Sequence, residues 1–259
     1  MGLRKLISKI IMNDRGISIA LSKKRVMLSE VLSRNMRHTV KYGPFKGLRF
    51  TQESWWWGGA DRSSMLLGIY EKEVLEALMN VPNKYNVFID LGAADGYYSI
   101  GTLISKKFKK GYSFEMSDQG REVILKNAIL NKVDKNLTIF SEAKKDFYRA
   151  IPKSDLDKAI FLVDIEGGEF NLFDKKVFSD LKKSIIFIEI HDWFFRDGDK
   201  KLNKLISDAK TFFNISKLTT SSRDLSVFPE LSKLHDSERW LIASEGRHRL
   251  MVWLRFDPK

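Results

Sequence analysis

The sequence predicts an α/β protein whose mostly parallel sheet is covered by helices on both faces and preceded by a basic helical extension. Short runs of Val, Ile and Phe alternate with longer helical patterns, which is typical of parallel strands buried on both faces. One such strand, 86–90, runs into a glycine-containing turn and a new helix. In addition, 259 residues with 12% aromatic residues and no cysteine can build one large core without disulfides.

The positive charge is concentrated at the N-terminus. The net charge is +12, and residues 1–49, with twelve basic and two acidic residues, carry +10 of it. We therefore divide the chain into a basic, partly amphipathic extension, 1–49, and a domain, 50–259. Residues 1–38 are predicted to be helical, and Leu and Ile recur at helical spacing beside Arg and Lys over the first eleven positions, as in helices that lie on anionic membranes. A helix that docks on the protein's own domain would show the same pattern. So would a helix that docks on a second copy of the chain and forms a homo-oligomer.

Composition excludes several classes of protein. Without cysteine, the chain has neither a disulfide scaffold nor a cysteine-based zinc or redox site. No run of about 18 apolar residues predicts a membrane-spanning helix, and the N-terminus lacks the pattern of a secretory signal. We expect a cytoplasmic protein. Because segment 1–38 is amphipathic, the protein is also a candidate for peripheral binding to the inner face of the cell membrane.

The remaining elements follow from spacing. Residues 40–60, rich in glycine and aromatic residues, are predicted to be irregular. Apolar residues at helical spacing predict a helix over 64–79, which Pro82 ends. Strands are then predicted over 86–90, 112–115, 137–140, 159–164 and 184–189. Helices are predicted over 97–108, 118–130, 169–178 and 200–213. Two final runs, 240–243 and 250–256, are predicted to close the sheet as a pair of strands.

The turn after the first strand carries the strongest chemical signal. Asp90, Gly92 and Gly96 have the spacing D-x-G-x-x-x-G, and glycines let the backbone approach a ligand closely. A dinucleotide site would instead have G-x-G-x-x-G at a helix N-terminus that faces a pyrophosphate. Here the carboxylates of Asp90 and Asp95 repel phosphate and suit a sulfonium with an amino group. The turn, including Ala93, therefore favours S-adenosylmethionine over NAD as cofactor.

The next two strands end in further candidates for this cofactor. Glu115, 25 residues after Asp90, ends the second strand and is well placed to accept both ribose hydroxyls. Glu142 follows the third strand, where a side chain can meet the adenine edge, although a solvated strand end is the simpler explanation for it.

Acidic residues and a histidine follow the fourth and fifth strands, whose ends meet at the same edge of the sheet. Two alternatives are open: Asp164 and Glu189 hold Mg²⁺, which polarises a substrate hydroxyl, or His191 or Asp164 takes the hydroxyl proton as general base. Glu169, at a predicted helix start, is interpreted as a helix cap. The six residues that we expect at this edge are Asp164, Glu166, Glu169, Glu189, His191 and Asp192.

Aromatic and basic residues outside these strand ends are candidates for substrate binding. Trp56 and Trp57, in the sequence WWWGG, suit a flap whose rings stack on sugar faces, and a plug in the core is equally compatible with them. Arg247 is a candidate for gripping an anionic group of the substrate. For Arg62 we expect an ordinary surface ion pair.

These motifs, taken in order over 64–255, resemble the FkbM-type family of S-adenosylmethionine-dependent methyltransferases. Two departures are Met116, where the family often has proline, and the extra glycine in VDIEGGE. The matching segments are 68–71, 90–99, 114–115, Asn127, Asn131, 163–169, 189–191, 245–247 and 253–254.

The resemblance implies a Rossmann-like class I methyltransferase fold with seven strands and O-methylation of sugar hydroxyls. It also implies that Asp90, Gly92 and Gly96 line the methionine end of the cofactor, that Glu115 holds the ribose, and that Asp164 and His191 face the substrate. Asp164 is thus counted with both the cofactor and the catalytic residues.

We therefore predict an O-methyltransferase that acts on a saccharide, such as a surface glycan or a glycosylated metabolite. A nucleic-acid methyltransferase is the first alternative, suggested by the charge of +12. Against it, residues 164–167 read DIEG where base-directed enzymes carry N/D-P-P-Y, and acids repel a phosphate backbone. A non-catalytic binding protein with the same fold is the second alternative, and the intact residues of the first turn speak against it.

Overall fold

A computed structural model describes residues 3–55, 59–247 and 249–259 of the chain, and the side chains of all of these except 3–15. Its seven strands are β1 (Val87–Leu91), β2 (Lys110–Phe114), β3 (Leu137–Phe140), β4 (Ala159–Val163), β5 (Ile185–Glu189), β6 (Phe213–Thr219) and β7 (Val252–Pro258). They form one sheet in the order β3-β2-β1-β4-β5-β7-β6. All neighbours are parallel except β7, which is antiparallel to β5 and β6.

The helices are α1 (Leu3–Asn35), α2 (Arg62–Leu66), α3 (Lys72–Met79), α4 (Tyr97–Ile104), α5 (Asp118–Leu130), α6 (Lys153–Leu156), α7 (Glu169–Leu172), α8 (Lys175–Asp180), α9 (Gly198–Ala209) and α10 (Asp236–Ala243). Helix α5 illustrates a local cause: the Ser117 hydroxyl accepts the amide of Gly120 and caps its first turn. Strand order and helix placement together confirm the predicted Rossmann-like class I methyltransferase fold with a helical N-terminal segment.

Two hydrophobic clusters cover the two faces of the sheet. Every residue of β1 is buried, and its side chains alternate between the clusters. Phe88 packs with residues of α3, α4 and α5, whereas Ile89 packs with residues of α8 and α9. From β1, the chain runs outward through β2 and β3 on one side and then crosses to β4 on the other side of β1, so the strand order reverses at β1. This is the switch point at which open α/β sheets bind ligands.

The end of the chain differs from the prediction. Residues 240–243, predicted as a strand, form the last turn of α10, which begins with a capping box between His235 and Glu238. The strand that the sequence does not predict is β6. It begins at Phe213, the residue at which the predicted helix 200–213 ends. Strand β6 is an edge strand with several exposed residues, so it lacks the continuous apolar run that marks the central strands.

Two predicted helices are each divided in two. The helix predicted over 64–79 is interrupted after α2, because Gly68 has φ +66° and a Cβ there would collide with the carbonyl of Tyr42. The helix predicted over 169–178 is α7 followed by α8, and the Asp174 side chain caps α8 by accepting the amide of Val177. In both cases, the apolar spacing is that of a helix, but the backbone turns between the two parts.

Helix α1 packs through its C-terminal half. Arg25 forms a buried ion pair with Asp61 at 2.5 Å, Ser29 accepts the amide of Ser63, and Leu32 enters the core. Farther toward the N-terminus, large apolar side chains such as Ile17 and Ile19 are exposed. No helix within the described part of the chain is both long enough and apolar enough to cross a bilayer.

Candidate functional site

A pocket of about 540 Å³ opens at the carboxyl ends of β1, β2, β3 and β4. As predicted, residues that follow four different strands meet there. The pocket is thus one continuous space shared by the turn after β1 and the three strand ends beside it. Its lining from these strand ends comprises Asp90, Gly92, Ala93, Ala94, Asp95, Phe114, Glu115, Met116, Glu142, Ala143, Asp164, Ile165 and Glu166.

The turn after β1 depends on Gly92. Its φ is +87°, and a Cβ at this position would lie well inside the 3.0 Å that real Cβ contacts keep from the backbone carbonyl oxygen of Asp164. The amides of Gly92 and Ala93 both donate to the carbonyl of Phe114, at 2.9 and 3.1 Å. Gly92 therefore lets the ends of β1, β2 and β4 lie close together beside the pocket. A larger residue at this position would separate β1 from β4.

Asp90 is buried at the floor of the pocket. Its Oδ2 accepts the hydroxyl of Ser99 at 2.5 Å, and Ser99 in turn accepts the hydroxyl of Ser113 at 2.7 Å. Burial raises the pKa of Asp90 to about 7, although the hydrogen bond from Ser99 acts in the opposite direction. A cation bound nearby would favour the charged carboxylate, so this group suits a positively charged ligand.

Glu115 is held by two backbone amides. Its Oε2 accepts the amide of Ala94 at 2.9 Å, and its Oε1 accepts the amide of Ser117 at 2.8 Å. Each carboxylate oxygen can accept a further hydrogen bond. The side chain is therefore fixed in the pocket with capacity left for two hydroxyl donors, as a ribose diol would require.

Asp95 has another environment. Its carboxylate accepts the amide of Trp55 at 2.8 Å and the Ser54 hydroxyl at 2.5 Å, and it pairs with Arg62 at 3.0 Å. Arg62 is buried and lies over the Phe50 ring, so the surface ion pair expected for it is wrong. Asp95 lines the pocket and also anchors the segment that precedes α2.

Glu142, the adenine candidate, and Trp55 lie at the outer edge of the pocket. Glu142 lines the pocket but is exposed, with Lys144 at 3.7 Å as an ionic neighbour. Trp55, which is 39% exposed, also lines the pocket. Trp56 and Trp57, the two predicted substrate contacts, lie outside the described residues.

His191 lies behind the pocket wall, surrounded by carboxylates. Its Nε2 is 3.6 Å from Asp164 Oδ1, 3.5 Å from Glu166 Oε2 and 3.5 Å from Glu189 Oε2. Burial alone would lower the pKa of His191, but the neighbouring carboxylates of Glu169, Asp164 and Glu166 outweigh burial and raise it above 6.5. The structure thus brings the predicted catalytic pair together, with Asp164 lining the pocket and His191 2% exposed.

Glu169 orients this histidine. Its carboxylate is fully buried and accepts the amides of Gly167 and His191, both at 2.9 Å. The oxygen that accepts the His191 amide also lies 3.3 Å from Nδ1 of the ring. The interpretation of Glu169 as a simple helix cap is therefore wrong: it joins the loop after β4 to the loop after β5. Its place in the sequence did not reveal this role, because the partner lies 22 residues away.

Arg247 lies against three carboxylates. Its guanidinium pairs with Glu71, Glu189 and Glu245. Burial still raises the pKa of Glu71 to about 8 and that of Glu189 well above 4.5, although Arg247 lowers both. Arg247 therefore pairs with acids of the protein itself. The predicted contact of Arg247 with an anionic group of the substrate stays a prediction.

Three tyrosines that sequence analysis did not single out line the pocket beside Glu71. Tyr98 donates its hydroxyl to Glu71 Oε2 at 2.6 Å, and Tyr70 is buried next to it. The Tyr97 hydroxyl is buried and has no hydrogen-bond partner among the described residues. The signals in the sequence are the segments 68–71 and 90–99 of the resemblance, and neither of them implies a role for these tyrosines.

No family model and no curated protein matches the sequence. Solved structures with a similar fold include the M1A22 tRNA methyltransferase TrmK of B. subtilis, with 8% identity, 71% of this chain and 64% of that chain covered, and a TM-score of 0.45. Precorrin-6y C5,15-methyltransferase of Geobacter metallireducens has 10% identity and a TM-score of 0.46, and the match covers 82% of this chain and 94% of that chain. M. jannaschii TYW2, solved in complex with AdoMet, has 15% identity and a TM-score of 0.42, and the match covers 73% of this chain and 78% of that chain.

These likenesses concern the fold. At identities of 8–15% and TM-scores below 0.5, they name no substrate for this chain, and the FkbM-type resemblance stays a prediction.

Proposed function

We propose that this protein is an S-adenosylmethionine-dependent methyltransferase. The observation that carries the proposal is the charge of the pocket. Seven of its described lining residues are acidic and two, Arg62 and Lys145, are basic. Both basic residues pair with carboxylates, Asp95 and Asp174. Such a surface suits a sulfonium and an ammonium group and opposes a pyrophosphate, which distinguishes this cofactor from NAD.

The size and position of the pocket support the same cofactor. A volume of about 540 Å³ lies within the roughly 300–1,000 Å³ typical of small-molecule sites. We assign Glu115 to the ribose hydroxyls and Asp90, Gly92 and Ala93 to the methionine end. Glu142 lies at the third strand end, where we place the adenine. Asp95, tied to Arg62, shapes the wall of the pocket.

The acceptor is proposed to be a hydroxyl group. When bound, S-adenosylmethionine supplies an electrophilic methyl group on sulfur. Asp164 lines the pocket, and its side chain is 29% exposed. We assign to Asp164 the proton that an acceptor hydroxyl loses as its oxygen bonds to the methyl carbon. His191, behind Asp164, positions this carboxylate and does not reach the acceptor itself.

A saccharide is the acceptor class that the pocket supports. Asp164, Glu166 and Glu142 line its mouth, and their charges favour a neutral, hydroxyl-rich molecule over a phosphate backbone. Helix α1, with its basic residues and exposed apolar side chains, is proposed to hold the protein at an anionic membrane where glycans are assembled.

Nucleic acid is the second candidate acceptor. Residues 1–49 carry a net +10, and Lys23, Lys24 and Arg34 on α1 are exposed. Such a surface can bind a phosphate backbone outside the acidic pocket.

Methyl-labelled S-adenosylmethionine tests both candidates in one assay. The purified protein is incubated with glycan extracts and with total RNA of the host, and label is followed with and without ribonuclease. We expect ribonuclease-resistant label in the glycans, lost in Asp164→Asn while cofactor binding persists. Label in RNA alone would establish the second candidate. Cofactor binding without label in either pool would indicate a non-catalytic protein.

A further inference from the structure

The carboxylates around His191 leave an uncompensated negative charge. Arg247 pairs with Glu71, Glu189 and Glu245 on one side of the cluster. Asp164 and Glu166, on the other side, have no Lys or Arg among their ion-pair partners in the described part of the chain. Their oxygens and His191 Nε2 all lie within 4.8 Å of one another.

His191 supplies an independent sign of a ligand. Its side chain is 2% exposed, and the oxygen that lies 3.6 Å from its Nε2, Asp164 Oδ1, is buried without a hydrogen-bond partner among the described residues. Its Nε2 points between the oxygens of Asp164, Glu166 and Glu189, at 3.5–3.6 Å. These contacts exceed the roughly 2.7–3.2 Å of an N–H···O hydrogen bond. Nε2 of this buried side chain therefore faces three oxygens at distances too long for hydrogen bonds.

The spacing matches a shared metal ion. Two ligand atoms that each lie about 2.1–2.2 Å from one ion are separated by roughly 3.0–3.5 Å. A second group of acids, Glu71, Asp164 and Glu189, has similar proximity, but Arg247 already pairs with two of its three members. The geometry thus favours the group around His191.

We propose that Asp164, Glu166 and His191 Nε2 form a divalent cation site, with Glu189 Oε2 beside it. One imidazole among carboxylates suits Mn²⁺, because carboxylates favour hard cations and imidazole favours transition metals. Glu169 completes the arrangement: a metal-bound histidine commonly gives its other ring nitrogen to a carboxylate, and Glu169 lies 3.3 Å from Nδ1.

The cation would lie at the pocket wall, since Asp164 and Glu166 also line the pocket. There it would lower the pKa of an acceptor hydroxyl that joins its coordination shell. This use of the site depends on the proposed function, whereas the existence of the site does not.

Binding of Mn²⁺ alone tests the proposal. Chelator-treated full-length protein is titrated with Mn²⁺ without S-adenosylmethionine, and free Mn²⁺ is followed by electron paramagnetic resonance. We expect one Mn²⁺ per chain. Affinity should fall at least about tenfold in His191→Gln and in Glu166→Gln. Glu166 is half-exposed, so its variant tests the site without disturbing the core.

Glu76→Gln is the matched control, because Glu76 is an exposed acid on α3 that pairs with Lys72 and does not line the pocket. It should bind Mn²⁺ as the wild type does. No saturable binding, or equal binding by the wild type and both site variants, would overturn the proposal. S-adenosylmethionine binding is measured on the same samples, so loss of the metal site and loss of the cofactor site are distinguished.

Discussion

The backbone carbonyl of Asp164 lies where a Cβ on Gly92 would have to be, so the ends of β1 and β4 meet at a contact that only glycine allows. Both residues line the pocket, and the pocket therefore depends on this contact. The residue that shapes the turn after β1 and the residue assigned to the acceptor proton are thus coupled through the backbone.

Gly92→Ala should damage cofactor binding and stability together. The new Cβ has to push β4 away, and we expect a loss of about 1–3 kcal/mol in unfolding free energy and at least about a tenfold weaker affinity for S-adenosylmethionine. Urea unfolding and calorimetry measure the two effects. Gly47→Ala is the control, because Gly47 has φ +97° but nothing within 4 Å of its Cβ position. Equal behaviour of the two variants would show that backbone strain, and not the contact with Asp164, matters.

Asp90→Asn should become relatively more stable as pH rises. Burial raises the pKa of Asp90 from 3.8 to about 7, so the folded state binds its proton more tightly than the unfolded state does. The wild type therefore loses stability as pH rises from about 4 through 7, by as much as roughly 4 kcal/mol from this group. Asparagine has no proton to lose and still accepts the Ser99 hydroxyl. Urea unfolding of both proteins at pH 5, 6, 7 and 8 measures the difference, and parallel pH curves would contradict it.

The central strands and the cofactor turn could be predicted from sequence, because their signals are local. Strands β1, β4 and β5 are continuous apolar runs, and the spacing of Asp90, Gly92 and Gly96 is visible in seven residues. Strand β6 could not be found in this way, since an edge strand with exposed residues lacks such a run.

The contacts behind the pocket depend on residues far apart in the chain. Arg247 meets Glu71 and Glu189 across separations of 176 and 58 residues. Glu169 meets His191 only because the loops after β4 and β5 lie side by side. Sequence spacing identified acids at one edge of the sheet but could not tell which of them pair with Arg247.

Arg247→Gln should be destabilising in a pH-dependent way. Removing one partner of a buried ion pair costs about 3–5 kcal/mol, and here several carboxylates lose their cation. The pKa of Glu71 is already about 8 and that of Glu189 is raised. Both acids are neutral at low pH and become charged as pH rises, so the variant should lose more stability at pH 9 than at pH 6. Thermal unfolding at both pH values measures this.

Arg255→Gln is the control for Arg247→Gln, because Arg255 has similar exposure and, among the described side chains, forms its one ion pair with Asp257, two residues away. Its effect should stay below about 1 kcal/mol at either pH. A pH-independent loss in Arg247→Gln would contradict the account of the buried carboxylates.

Reversing charge at the start of α1 should weaken membrane binding. With Arg4, Lys5 and Lys9 changed to Glu, the affinity for anionic vesicles should fall at least about tenfold, since each basic residue near such a surface contributes about 1 kcal/mol. Sedimentation with phosphatidylserine-containing vesicles measures the affinity. A control protein carries the same number of reversals at exposed lysines elsewhere: Lys135, Lys182 and Lys233. Equal binding by both proteins would attribute any vesicle affinity to net charge alone.

Calorimetric titration with S-adenosylmethionine and with NAD tests the central claim most directly. The account predicts that the wild type binds one S-adenosylmethionine per chain and no NAD. Glu115→Gln, which weakens the ribose contact, should bind roughly tenfold or more weakly, whereas Glu122→Gln, an exposed acid on α5, should bind as the wild type does. Binding of NAD without any binding of S-adenosylmethionine would contradict the account.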